Sequence, residues 1–297
     1  MKKLFLLALL VVGYTAQSQV SSNRFFYELT MKPKKDSAKV EKVMTVLDIT
    51  DKKSVYQDYT LIAQDSIIKV KVEEMQKTKQ FKDMSKDIVM PKFAYKVSKT
   101  YPDMETQYSE SMMNGMTPIQ LAYKEKPNFA WKISNEKQKI GEYNAQKATT
   151  DFGGRKWTAW FSNDITLQDG PYKFSGLPGL IVKVSDDGGN YIWELKGNKK
   201  VNDYQEESYA EKARPGGAGS LVEVNREKFE KTFSEYKKDP FSSVRTQIPA
   251  SVMSNKIPGM DKTIGEMIKD QEKMLKSFYN SNDNPIELPT EKASKKK

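Results

Sequence analysis

The sequence predicts an α+β protein that is mainly antiparallel β, a large curved sheet or open half-barrel with two or more helices packed on one side. Two observations carry this. Short segments rich in aromatic and β-branched residues follow one another along most of the chain, separated by glycine, proline and asparagine turns. Towards the C-terminal end, two segments instead repeat apolar residues at helical spacing. No internal repeat divides the chain, and its length suits one large domain over residues 19–290.

The strands are taken in order. Residues 24–32 contain FFYELTM, and residues 43–50 (VMTVLDIT) and 55–60 repeat the aromatic and β-branched theme. Asp51-Lys52-Lys53 is a polar hairpin connection. Both faces of VMTVLDIT carry apolar residues, which places it well inside the sheet. Residues 61–87 turn to lysine, glutamate, glutamine and methionine without glycine or proline, which favours helix or a charged insertion, with a strand through Ile67, Ile68, Val70 and Val72 as the alternative. Alternation returns at 93–99, 106–112, 119–123 and 129–133. Residues 140–150 lead through Gly153-Gly154 into RKWTAWF, where Trp157, Ala159 and Phe161 share one face and Lys156, Thr158 and Trp160 the other. Residues 181–185 and 191–196 flank Asp186-Asp187-Gly188-Gly189-Asn190 as a hairpin.

Residues 201–220 end in RPGGAGS and read as a flexible loop. Asn225 caps a helix whose apolar face is Phe229, Phe233 and Tyr236, with Val224 placed to staple against Phe229 and Asp239-Pro240 ending it. A second helix covers about 263–279, with Ile264, Met267, Ile268, Leu275 and Phe278 on one side. Residues 284–289 (NPIELP) form an extended piece that the prolines confine to a sheet edge, and residues 291–297 read as a disordered basic tail.

Composition removes whole classes of chemistry. The chain has no histidine and no cysteine, which excludes imidazole acid–base catalysis, Ser-His and Cys-His nucleophiles, and metal sites built on imidazole or thiolate. No cofactor, no metal and no disulfide is expected. Lys2 and Lys3, nine apolar residues from Leu4 to Val12, and Ala16-Gln17-Ser18 have the order of a secretory signal peptide over residues 1–18, so the protein is expected to be periplasmic or secreted. Removing 18 of the 297 residues leaves 279, enough to bury a core without covalent staples, and no later segment is long and apolar enough to span a membrane. The charge of +10 falls to +8 without Lys2 and Lys3, and its lysines are spread as on a solvated face. A basic face on anionic lipid is the alternative, and export argues against nucleic acid as a partner.

The stretch from Asp169 to Val184, DGPYKFSGLPGLIVKV, is the most tightly specified backbone in the chain. In Leu177-Pro178-Gly179-Leu180, proline presets the second position of a turn and glycine the positive φ of the third, which predicts type II. Gly170, Pro171 and Gly176 bend the approach, and Leu180 and Ile181 launch the next strand. Such punctuation is common in all-β chains and can be architecture alone. The functional alternative is that the bend frames a cavity. Trp157, Trp160, Tyr172 and Phe174 would be its flat apolar walls, and Arg155, Asp164 and Asp169 its orienting polar groups.

Three runs carry a family resemblance: GRKWTAWFSNDI (154–165), GPYKFSGLPGLI (170–181) and NPIELP (284–289). In this order they resemble the GLPGLI family of exported proteins from Bacteroidetes-type bacteria, and the likeness extends from about Phe25 to Pro289. Relatives often have cysteine near Ala145, so any thiol role is missing here, and the loop at Pro215 to Ser220 is particular to this chain. The resemblance implies export, a mainly β envelope protein and no assigned reaction. A sheet with helices on one side is also like the half-barrels of periplasmic lipoprotein carriers, an analogy of fold only.

Three functions are therefore expected candidates. The first is a non-enzymatic binding or carrier protein for an apolar or lipid-like ligand, held on the aromatic concave face. The second is an interaction module for an outer-membrane protein such as a TonB-dependent transporter, meeting it through a strand edge near Ile286 or the basic end. The third is a hydrolase using Asp164 and Asp169 as a carboxylate pair.

Overall fold

Twelve strands form one sheet in a computed structural model that describes residues 20–80, 82, 88–115, 117–212, 217 and 219–289. They are β1 (Ser22–Met31), β2 (Glu41–Ile49), β3 (Lys53–Asp58), β4 (Lys96–Thr100), β5 (Glu105–Asn114), β6 (Thr117–Glu125), β7 (Lys132–Ile140), β8 (Tyr143–Phe152), β9 (Arg155–Ser162), β10 (Leu180–Asp186), β11 (Tyr191–Val201) and β12 (Ser220–Glu223). Their order is β12-β6-β5-β4-β3-β2-β1-β11-β10-β9-β8-β7. Neighbours are antiparallel except β12, which runs parallel to β6. β2 lies between β1 and β3, as its two apolar faces require.

Period-two alternation explains which side became the core. Tyr27 and Leu29 of β1, Leu47 of β2, Tyr56 of β3, Val97 of β4, Trp157, Ala159 and Phe161 of β9 and Trp193 of β11 are all buried in one cluster. The connection from β9 to β10, residues 163–179, lies across this face. It is bonded to β4 through Lys99, to β6 through Lys173, and to the approach to β7 through Trp131. Those strands stand far apart in the sheet order, so the sheet must curl around the connection.

Helices are α1 (Thr60–Ala63), α2 (Asp65–Thr78), α3 (Tyr209–Lys212), α4 (Arg226–Lys238), α5 (Ser242–Gln247), α6 (Ala250–Met253) and α7 (Ile264–Asn280). The Asn225 side chain accepts the Lys228 N–H at 2.8 Å and starts α4. Phe229, Phe233 and Tyr236 then pack on Leu121 and Tyr123 of β6, with Val224 beside them. Thr263 and Glu266 form a capping box at the start of α7, whose Ile268 packs on Phe241 and Val244. On the opposite face of the sheet, α3 is tied to Lys96 of β4 by Glu211.

Three expectations are corrected. The strand expected at 129–133 starts only at Lys132, because Phe129 and Trp131 leave the extended path to pack on Phe174. Of the loop expected over 201–220, residues 209–212 are helical and Ser220 starts β12, while 213–216 and 218 lie outside the described residues. Residues 284–289 add no strand to an edge; they cross the end of the sheet, and Ile286 is buried, so no exposed strand edge exists there. Residues 61–63 and 65–78 are helical, the favoured of the two readings of that segment. The expected signal peptide and the basic tail at 291–297 lie outside the described residues.

Candidate functional site

The signature is built by close approach rather than by a type II turn. The Gly179 N–H bonds back to the Leu177 carbonyl at 2.8 Å, a three-residue turn around Pro178, and the Leu180 N–H bonds to Ile165 instead of closing on Leu177. A β-carbon on Gly179 would stand 2.2 Å from the Ser162 carbonyl oxygen, so only glycine lets this strand start press against β9. Leu177, Leu180 and Ile181 are fully buried behind it.

The aromatic residues expected to wall a hollow are packed interior. Trp157, Phe174 and Trp193 are fully buried, with Tyr172 nearly so. Their rings touch: Trp157 to Phe174 at 4.8 Å, Trp157 to Trp193 at 6.0 Å, Tyr172 to Trp193 at 6.3 Å. Trp160, in the opposite register of β9, is half-buried. The two aspartates are not brought together. Asp169 is buried against Lys99 and Tyr101, whereas Asp164 is exposed and accepts the Asn144 N–H at 3.3 Å. Arg155 is engaged within the protein. It spans the Asp186 carboxylate at 3.0 Å, the Asn284 side chain at 2.7 Å and the carbonyls of Pro285 and Ile286.

Two buried lysines organise the connection. Lys99 Nζ donates to the carbonyls of Gly170 at 2.6 Å and Tyr172 at 3.1 Å and lies 2.5 Å from Asp169 Oδ1. Burial pushes its amine down, and Asp169 opposes that. Lys173, also without exposure, donates to Tyr123 Oη at 2.8 Å and to Glu125 and Glu287 at 2.5 Å each. Arg226 of α4 reaches the same two carboxylates. Burial pushes the Glu287 carboxyl up, but Lys173 and Arg226 outweigh it and hold the group below the usual carboxylate range. Glu287 thus joins the C-terminal segment, the connection, β6 and α4. Gly153 at the β8–β9 turn is shaped for it: an added β-carbon would come within 2.7 Å of Glu287 Cγ.

The concave face is therefore filled by the chain itself, and open recesses lie at the β8–β9 turn, lined by residues 151–156, and on the convex face. A cleft of about 370 Å³ runs between the outward residues of β3 to β6 (Val55, Lys96, Ser98, Gln107, Ser109 and Gln120) and a loop wall supplied by Gln205, Glu206, Glu207 and Lys212. The wall is strapped to the sheet by Lys53–Glu206 at 2.5 Å and Lys96–Glu211 at 2.7 Å. Sequence reasoning missed this recess and both lysines. Lys99 did leave a signal, since it shares the inward register of Tyr95 and Val97. Among the described residues, no group of three or more His, Cys, Asp or Glu side chains could hold a metal ion.

A family model described as a protein of unknown function (Porph_ging) matches residues 153–183, a segment that contains the β8–β9 turn, β9 and the GLPGLI hexamer. No curated protein matches the chain. Two solved structures of PNGF-II, in different space groups, are similar to it. One has a TM-score of 0.49 at 13% identity over 73% of this chain and 33% of that one. The other has 0.47 at 14% identity over 75% and 34%. This chain spans about a third of the length of that protein, and likeness at this level carries no functional argument.

Proposed function

We propose that the protein is an exported, non-enzymatic recognition module of the cell envelope that engages its target through the convex face of its sheet, rather than a carrier that encloses an apolar ligand. One observation carries the reading: the signature connection fills the concave face, with the Trp157, Phe174 and Trp193 rings in mutual contact. A lipid chain would have to displace that packing, held by two buried lysines with their carboxylates, before it could enter. The first eighteen residues support export. The test has two arms. Titration of the purified protein with a fluorescent fatty acid should give no saturable energy transfer from tryptophan, and hydrogen exchange in the presence of envelope extract should protect β3 to β6 and the 204–212 wall. Saturable transfer, or protection confined to residues 163–179, would overturn the reading.

A second reading, docking to an outer-membrane protein, is favoured by one feature. β7 closes the sheet as an exposed nine-residue edge, which can accept a partner strand, although its lysines blunt that tendency. Photocrosslinkers at Lys137 and Lys139 that recover no outer-membrane protein from intact envelopes would remove it.

A further inference from the structure

We infer that the convex cleft is a binding site for a neutral, hydroxyl-rich solute of the saccharide class. The inference rests on the convex face being the working surface and adds the chemistry of what it takes. Its floor is made of uncharged hydrogen-bonding groups, Ser98, Gln107, Ser109 and Gln120, brought side by side by the outward register of three adjacent strands. Ser98, Gln107 and Ser109 have no side-chain partner among the described residues. Ser109 is only 9% exposed and lines the cleft. A buried hydroxyl left open in this way is stabilised by a ligand or water that completes its bonds.

Three of the four charged side chains that line the cleft are already engaged. Lys96 is held by Glu211 at 2.7 Å, Glu206 by Lys53 at 2.5 Å, and Lys212 donates to Gln205 at 3.0 Å. The lining holds two lysines and two glutamates, so it offers no net field to an anion or a cation. It contains no aromatic ring, so a planar base or an aromatic ligand finds no stacking surface. Amide and hydroxyl groups that both donate and accept match the alternating donors and acceptors of vicinal hydroxyls. A volume of about 370 Å³ lies in the range of small-molecule sites.

The test is amide NMR of the full mature protein with maltose, N,N′-diacetylchitobiose and, as the charged comparison, glutamate, each to about 20 mM, weak binding by the usual affinity scale. The expected result is saturable shifts of the side-chain amides of Gln107, Gln120 and Gln205 with at least one disaccharide. Loss of two hydrogen bonds in the double variant Ser109→Val, Gln107→Leu should weaken binding about tenfold or more. Gln205→Ala, at an exposed wall residue that also accepts from Lys212, should weaken it even if the double variant misfolds, and Gln138→Ala on β7 should leave it unchanged. No saturation by either sugar, equal affinity in Gln205→Ala, or tighter binding of glutamate would overturn the inference. Failure of the sugars together with envelope-dependent protection of β3 to β6 would remove only the saccharide class. Fatty-acid binding to the aromatic interior would remove the convex-face reading as well.

Discussion

Replacing Glu110 with glutamine should convert a pH-dependent weakness of the fold into a constant. Glu110 points inward from β5 beneath α4 and α7; Tyr108 donates to its Oε1 at 3.0 Å, and its Oε2 is buried with no partner among the described residues. Burial raises its pKa from 4.5 to about 8, outweighing the Tyr108 hydrogen bond and the attraction of Lys237. Below pH 4.5 the carboxyl is protonated in folded and unfolded chains alike, and it has no effect on the pH dependence. Between 4.5 and about 8 the unfolded chain loses the proton and the folded chain keeps it, so stability falls as pH rises, by up to ~1.4 kcal/mol per unit. By pH 7 the accumulated loss is about 3 kcal/mol, and above about pH 8 it levels off.

Glutamine cannot ionise. The cost of burying its amide is independent of pH and enters only as an offset. Urea unfolding of both proteins from pH 4 to pH 9, with slopes compared so that only the free energy changes, isolates the effect. The difference in stability, Glu110→Gln minus parent, should shift by about 3 kcal/mol in favour of glutamine between pH 4 and pH 7 and stay level above pH 8. A difference that does not change with pH would refute the reasoning, since it would mean that Glu110 ionises in the fold as it does in water.

Three further outcomes follow from the same interior. Gly179→Ala should cost several kcal/mol, seen as a large drop in the thermal midpoint, because its β-carbon meets the Ser162 carbonyl at 2.2 Å; Gly176→Ala, with open space around it and only a positive φ to satisfy, should cost about 1 kcal/mol. Lys99→Met strands Asp169 in the interior and should cost about 3–5 kcal/mol, while the double variant Lys99→Met, Asp169→Leu should recover part of that loss in denaturant unfolding. The lowered pKa of Glu287 implies stability that is present above the unfolded carboxylate range and lost as pH falls through the folded value. Glu287→Gln should therefore flatten the acid limb of the stability curve and speed proteolysis of residues 283–289.

How much of this was legible depends on whether a residue's role was local. The two helix starts were readable because Asn225 and Thr263 cap within their own sequence neighbourhood. The period of β9 was readable because Trp157, Ala159 and Phe161 share one face and Lys156, Thr158 and Trp160 the other, with burial following the first set. β7 was misplaced because an edge strand needs no apolar face; Ser134 to Lys139 carry none, and its register is set only by β8 across the hairpin. The convex cleft was illegible for a different reason. Ser98, Gln107, Ser109 and Gln120 are ordinary outward residues of three strands, and they become a site only when the 204–212 segment, far along the chain, is strapped over them. The tryptophans misled because aromatic content signals burial before it signals a pocket. Which of the two holds was decided by Lys99 and Lys173, two residues that composition alone assigns to the surface.

Those lysines also explain why a short, glycine-rich signature can stand at the centre of so long a sheet. A strongly curled sheet leaves a concave face whose strands cannot reach one another, and an empty space there would forfeit both contacts and water. Here the space is taken by a connection whose buried side chains fill it and whose backbone is satisfied from the sheet. Lys99 collects carbonyls of the turn at 170–174 and Tyr27 donates to the Ile181 carbonyl at 2.8 Å. Gly170 and Gly179 permit the approach, each lying where a β-carbon would strike Ile181 or the Ser162 backbone. The connection and the hexamer that ends it are thus held by contacts that lead away from them, from residues 169–174 to β4, from Gly179 to β9 and from Ile181 to β1. A connection packed in this way takes up the concave side with its own side chains, and Ser98, Gln107 and Ser109, which line the cleft, face the other way.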